Sequence, residues 1–193
     1  LGGNDAFIVL EDADLDLAVE EIVWGRMYNT GQVCCASKRF IVDRKVLKEF
    51  EDKLKVRLSK LVMGNPQDKK TDIGTLVTQS ECDKVVAQVK TVVEQGGRII
   101  LGGNAHGAFF EPTIITDIPK TADVAKDEEI FAPVVSIIPC DGVEEAVEIA
   151  NQSNYGLGSC VFTKNMNVAF KVANCMEAGG CVINGASFHR SFE

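Results

Sequence analysis

"AFIVLEDADLDLAVEEIVWGRMYNTGQVCCASKRFIVD", residues 6–43, decides the fold class. "AFIVL" (6–10) is an apolar run of strand length, and "KRFIVD" (38–43) closes the stretch with another. Between them "DADLDLAVEEIVWGRMYN" reads as a helix opened by Asp12 or Asp14, whose carboxylate can accept a free first-turn N–H. Strand, helix and strand in direct succession form the unit of a parallel sheet, because parallel neighbours need a long crossover.

The alternation continues along the chain. "RKVLKEFEDKLKVRLSKLV" places Leu47, Phe50, Leu54, Leu58 and Leu61 on one helical face. Residues 63–74 are rich in turn formers, and 78–95 give a second amphipathic helix that stops at Gly96-Gly97. "RIILGG" reads as a strand, "FFEPTIITDI" as an extended stretch and "APVVSIIPC" (132–140) as a strand. "DGVEEAVEIANQS" (helix), "GLGSCVFT" (strand), "NVAFKVANCMEAG" (helix) and "GCVING" (strand) complete the chain. The expected fold class is α/β: one domain over residues 1–193, a mostly parallel twisted sheet with helices on both faces. "LGGN" occurs at 1–4 and 101–104 with unmatched flanks, a recurring strand-end turn rather than an internal repeat.

Composition narrows the function classes. A net charge of -8 argues against nucleic acid as the main partner. No apolar run approaches the ~18 residues of a membrane span, and no secretory signal is visible. The seven cysteines, an odd number in a chain of this length, favour a reducing compartment and a cytoplasmic location. No C-x-x-C occurs and His106 and His189 lie far from any cysteine pair, so no metal site is expected. Cys140, Cys160 and Cys181 sit in apolar runs and read as small buried hydrophobes. Neither a G-x-G-x-x-G fingerprint nor a P-loop is present.

The adjacent thiols Cys34 and Cys35 follow the polar turn "NTGQV" between a helix and a strand. Free backbone N–H groups there, with Lys38 and Arg39 close in sequence, would favour a thiolate, which attacks carbonyl carbon well. The alternative from the residues alone is two small thiols in a helix-to-strand joint. Glu129, in the acidic run 127–129, reads alone as a solvated carboxylate, and Phe131 as core packing.

"LGGNDAFIVLEDADLDLAV", "NTGQVCCASKRFIV", "GNPQDKKTDIGTLVT", "FFEPTIITDI", "DEEIFAPVVSI", "ANQSNYGLGSCVFTKN" and "AGGCVING" occur in the order found in the aldehyde dehydrogenase superfamily. The chain resembles that family throughout, most specifically in G-Q-x-C and E-E-I-F-x-P. It looks most like the NAD(P)-dependent succinate-semialdehyde and lactaldehyde dehydrogenases. The resemblance implies that Cys34 attacks an aldehyde to form a thiohemiacetal, its oxyanion held by the Cys34 N–H and an upstream asparagine. Hydride then passes to the nicotinamide of NAD or NADP, and water hydrolyses the thioester. It further implies that Glu129 hydrogen-bonds the nicotinamide-side ribose, that Phe131 packs beside it, and that the backbone at Leu1 lies near the nicotinamide amide. The substrate would be a small aldehyde, succinate semialdehyde among the candidates, and the parent a homodimer or homotetramer.

Departures from the pattern shape the expectation further. The chain starts after the position of the family's general-base glutamate and ends before its P-F-G-G segment. It therefore reads as the thiol-bearing catalytic domain without the cofactor-binding domain, inactive in isolation. Tyr28 replaces an arginine that can pair with a substrate carboxylate six residues before the nucleophile, and Ala132 replaces a usual glycine. Cys35 is expected to be a packing neighbour rather than a redox partner, since adjacent Cα atoms only 3.80 Å apart strain a disulfide. Two other readings compete: transfer of the thioester to coenzyme A, and a non-catalytic thiol or oligomerisation module.

Overall fold

Alternation along the first strand sets the layers. In β1 (Ala6–Val9), Ala6 and Ile8 join one apolar cluster while Phe7 and Val9 join another. Successive side chains of a strand point to opposite faces, so a strand buried on both sides needs a continuous apolar run. The computed structural model describes residues 2–187 and bears out an α/β fold.

Two helices cover one face of the sheet. These are α1 (Leu15–Met27) and α2 (Arg44–Leu58), which pack Ile22, Phe50 and Leu54 against Phe7, Phe40 and Phe162. The Phe7 ring stacks on Phe162 with centroids 4.5 Å apart. The other face carries α3 (Gln79–Glu94), α4 (Gly142–Asn151) and α5 (Met166–Cys175), which bury Val85, Ile149 and Val172 against Ile8, Ile41 and Val161. Asp14, not Asp12, caps α1 by accepting the Leu17 N–H at 3.1 Å. Asp12 instead accepts the Lys164 and Asn165 N–H groups ahead of α5.

The remaining strands are β2 (Arg39–Asp43), β3 (Arg98–Leu101), β4 (Ala105–His106), β5 (Phe109–Phe110), β6 (Thr113–Thr116), β7 (Val134–Cys140), β8 (Ser159–Phe162) and β9 (Cys181–Ile183). Seven form one sheet in the order β3-β6-β7-β2-β1-β8-β9. Every pair in it is parallel except the edge pair β3–β6. The expected single stretch over 109–118 divides at Pro112: Phe109–Phe110 form a separate hairpin with Ala105–His106, and only 113–116 join the main sheet. Of the five valines in α3, Val85, Val89 and Val92 are buried and Val86 and Val93 exposed, so its apolar face is narrow. Cys140 and Cys160 are fully buried and Cys181 half-buried. Burial pushes the Cys140 thiol up to about 12 and raises the Cys160 thiol as well. None of the described helices is long and apolar enough to cross a membrane.

Candidate active site

Adjacent parallel strands start at the same end, and here three starts meet. β7, β2 and β1 are neighbours in that order, with Arg39 opposite both Ala6 and Ser136. Gly2–Gly3 lead into β1, Cys34–Lys38 into β2, and Glu129–Ala132 into β7. Segments far apart in sequence are thereby gathered at the amino ends of the strands.

The segment leading to Cys34 leaves α1 through a left-handed turn. Asn29, Thr30 and Gly31 have φ of 50°, 58° and 74° in succession. A β-branched threonine there is strained, a feature that persists only where surrounding contacts hold it. Gly74 N–H donates to Thr30 Oγ1 at 3.2 Å, and Val77 N–H donates to Gln32 Oε1 at 2.9 Å. Gln32 Nε2 donates to the Asn29 carbonyl at 3.1 Å. Glycine is required at 31, because a Cβ would stand 2.3 Å from the Ala132 carbonyl oxygen. A tight turn follows, closed by Ala36 N–H on Val33 O at 3.2 Å, and it leaves Cys34 exposed and Cys35 half-buried. Burial, then the neighbouring Cys34 and Asp5, raise the Cys35 thiol.

Lys38 joins the three strand starts. The residue is 1% exposed, and its ammonium donates to the carbonyls of Val33, Cys34 and Ala36 at 3.0, 2.9 and 3.0 Å. It also pairs with Glu129 Oε1 at 3.2 Å and stands 5.9 Å from the Phe131 ring centroid. Burial, reinforced by Arg26, lowers Lys38 to about 8 against the opposing pull of Glu129 and Asp5. Gly3 N–H approaches the same Glu129 oxygen at 3.4 Å. A Cβ on Gly3 would lie 2.4 Å from the Cys34 carbonyl oxygen, and one on Gly2 would lie 2.6 Å from Glu129 Oε2. Both glycines are needed for this close packing.

Arg26 fixes the loop from behind. Fully buried, it donates to the carbonyls of Val134 at 2.8 Å, Ile130 at 2.6 Å, Gly31 at 3.3 Å and Ala132. Burial lowers its guanidinium to about 9 while Glu129 opposes the shift, so it stays charged at neutral pH.

Cys34, Glu129 and Phe131 are thus brought together at the amino ends of the central strands, and Leu1 lies outside the described residues. Phe131 is 41% exposed, a surface aromatic rather than core packing. Glu129 is not a solvated carboxylate, since its side chain is 19% exposed and ion-paired. The role expected of Lys38 and Arg39 is corrected. Lys38 donates to turn carbonyls, and Arg39 to those of Asn4, Ile149 and Ala150 at 2.7, 2.9 and 2.8 Å. Buried carbonyls outside a ladder need donors, and these cations supply them. Arg26, Gly2 and Gly3 went unread as site residues, and only the paired glycines of "LGG" signal a close backbone approach. Tyr28 is 54% exposed with its ring 5.7 Å from that of Trp24.

Residues 1–191 match the family model described as "Aldehyde dehydrogenase family". The chain belongs to the aldehyde dehydrogenase family. It is 40% identical over 190 residues to the 3-sulfolactaldehyde dehydrogenase of Priestia megaterium, covering 98% of this chain and 40% of that relative. It is 42% identical over 189 residues to succinate-semialdehyde dehydrogenase [NADP(+)] 1 of Mycobacterium tuberculosis, covering 96% of this chain and 41% of the relative. The glyceraldehyde-3-phosphate dehydrogenase GapN of Methanocaldococcus jannaschii, solved with NADP, superposes with a TM-score of 0.94 at 38% identity, covering 99% of this chain and 41% of that one. The chain therefore spans about 40% of the length of the aldehyde dehydrogenases it matches.

Proposed function

We propose that this chain is the thiol-bearing catalytic domain of an NAD(P)-dependent aldehyde dehydrogenase that oxidises a small aldehyde to its acid, with Cys34 as nucleophile. The observation that carries the reading is the exposed Cys34 thiol on a turn braced from behind and tied through Lys38 to Glu129. The Cys34 sulfur adds to the aldehyde carbon, and the carbonyl π pair moves onto oxygen, to which the Cys34 N–H can donate a hydrogen bond. Preorganised donors lower such a barrier because they need not turn as charge develops. Among the described residues no acceptor takes that N–H. The resulting thiohemiacetal gives up its carbon-bound hydrogen as hydride to leave a Cys34 thioester, which water cleaves to the acid and the free thiol.

The residues near Cys34 suit a ribose and nicotinamide. Lys38 and Gly3 take one Glu129 oxygen. The other stands against Gly2, where a Cβ would lie 2.6 Å away, so the absent side chain leaves Oε2 uncovered, and a carboxylate oxygen accepts hydroxyl hydrogen bonds. Phe131 offers an exposed flat apolar face beside it. When bound, NAD or NADP supplies the hydride acceptor. Among substrates, succinate semialdehyde is supported by the likeness to the mycobacterial enzyme, whereas Tyr28 provides no cation for its carboxylate. The free thiols support a cytoplasmic parent, which we expect to be a homodimer or homotetramer.

Absorbance at 340 nm with the full-length protein, NAD or NADP and a panel of small aldehydes tests the reading. Turnover that falls at least 1,000-fold in C34S, on the order expected for loss of a nucleophile, is the expected result. Wild-type protein oxidising no aldehyde, or C34S retaining a tenth of the rate, would refute it.

A further inference from the structure

The turn that carries Cys34 has one buried cation beneath it. Three of the four carbonyls over residues 33–36, those of Val33, Cys34 and Ala36, converge on Lys38 Nζ within 3.0 Å. The three N–H bonds of one ammonium are shared among these carbonyls and Glu129 Oε1 at 3.2 Å, a convergence on one nitrogen that the flat guanidinium fork does not reproduce. The Val33 carbonyl shares its peptide plane with the Cys34 N–H. In a trans peptide these two groups point in opposite directions. Holding Val33 O down onto a buried ammonium therefore turns the Cys34 N–H away from the interior, toward the side where the thiol is exposed. A charge-assisted bond on the oxygen also polarises the amide and strengthens its N–H as a donor.

We propose that Lys38 is a positioning residue that aims the Cys34 N–H at a developing oxyanion and couples that peptide to Glu129. The proposal rests on Cys34 being the nucleophile. Lys38 touches neither substrate nor reacting atoms and acts through the peptide it holds. The groups facing its ammonium are Glu129 and Asp5, which favour its charge, and Arg26, which opposes it.

Two reagents on the same thiol separate positioning from mere scaffolding. With 4-nitrophenyl acetate, sulfur attacks the ester carbon, the electron pair forms an oxyanion, and collapse expels 4-nitrophenolate to leave acetyl-Cys34. With iodoacetamide, the sulfur–carbon bond forms as iodide leaves, and no oxyanion arises. Both single-turnover rates are measured at Cys34 in the full-length protein, with C34A subtracted as background. K38M is expected to slow acylation at least tenfold while alkylation stays within threefold. Equal changes in both rates, as from a collapsed turn or a lost cation near sulfur, would overturn the proposal, and so would unchanged acylation.

A readout on the unaltered protein accompanies the variant. The ratio of acylation to alkylation cancels thiol ionisation and is expected to fall above about pH 8, where Lys38 loses its proton. A flat ratio to pH 10 overturns the inference. If Cys34 reacts with neither reagent faster than the exposed Cys175, the nucleophile reading fails and this inference with it. A wild type that is acylated at Cys34 yet oxidises no aldehyde fails the proposed function alone.

Discussion

Arg26→Met is the sharpest test of how the loop above Cys34 is held. The side chain is fully buried, and its guanidinium donates to the carbonyls of Gly31, Ile130, Ala132 and Val134. Methionine keeps much of the aliphatic length, so little cavity forms and the loss is mainly polar. Leaving one buried carbonyl unpaired costs ~1–3 kcal/mol, but four are not additive once the loop relaxes and water reaches some of them. Hydrogen bonds to a charged group contribute roughly 1.5–3 kcal/mol each, and with that non-additivity the expected loss is ~4 kcal/mol. With an m-value of ~2 kcal/mol per molar urea, the unfolding midpoint falls by about 2 M. Trp24, the single tryptophan, lies half-exposed in α1 two residues before Arg26 and reports the transition by fluorescence. A loss below ~1 kcal/mol would show that the carbonyls find other donors and would refute Arg26 as the brace.

Lys38 should give alkaline stability a defined sign. Its folded value of about 8 lies below the 10.5 of a free lysine, so between those values the unfolded chain holds the extra proton and stability rises with pH, by at most ~3 kcal/mol. Urea midpoints at pH 7.5 and 10 should show that rise in wild type and a smaller one in K38M, and identical slopes would contradict it. Gly31→Ala combines a left-handed φ of 74° with a Cβ 2.3 Å from a backbone oxygen. It should lose upward of ~2 kcal/mol, since the conformation alone costs about 1–2 kcal/mol, and a midpoint unchanged within error would show that the turn yields freely.

Local patterning made most elements legible. The apolar run at 6–10, for example, is β1 over 6–9, because a strand buried on both faces must be apolar throughout. Pairing was less legible. Nothing within "RIILGG" states that β3 runs against β6, and the division at Pro112 depends on which sheet each half finds. The acidic run 127–129 shows the same limit. Asp127 accepts the Asn154 N–H at 2.7 Å, Glu128 accepts from Gln88, and Glu129 pairs with Lys38. All three carboxylates have tertiary partners that a charge run in one dimension does not display.

The same limit explains why Lys38 and Arg39 were misread. A cation near a thiol in sequence suggests an electrostatic role on sulfur, but three cations here face inward onto carbonyls. Loops normally run on the surface because their backbone cannot be satisfied inside. The loops leading into β1, β2 and β7 are packed against one another, and Arg26, Lys38 and Arg39 replace the water their carbonyls would otherwise need. Desolvation is the cost, visible in the lowering of all three, to about 9, 8 and 10. An apolar filler of equal volume would be no less compact, but it would leave the turn's peptides free to rotate. What the buried charge secures is direction: with the carbonyls of 33, 34 and 36 held inward, the thiol stands exposed on a backbone that cannot easily turn.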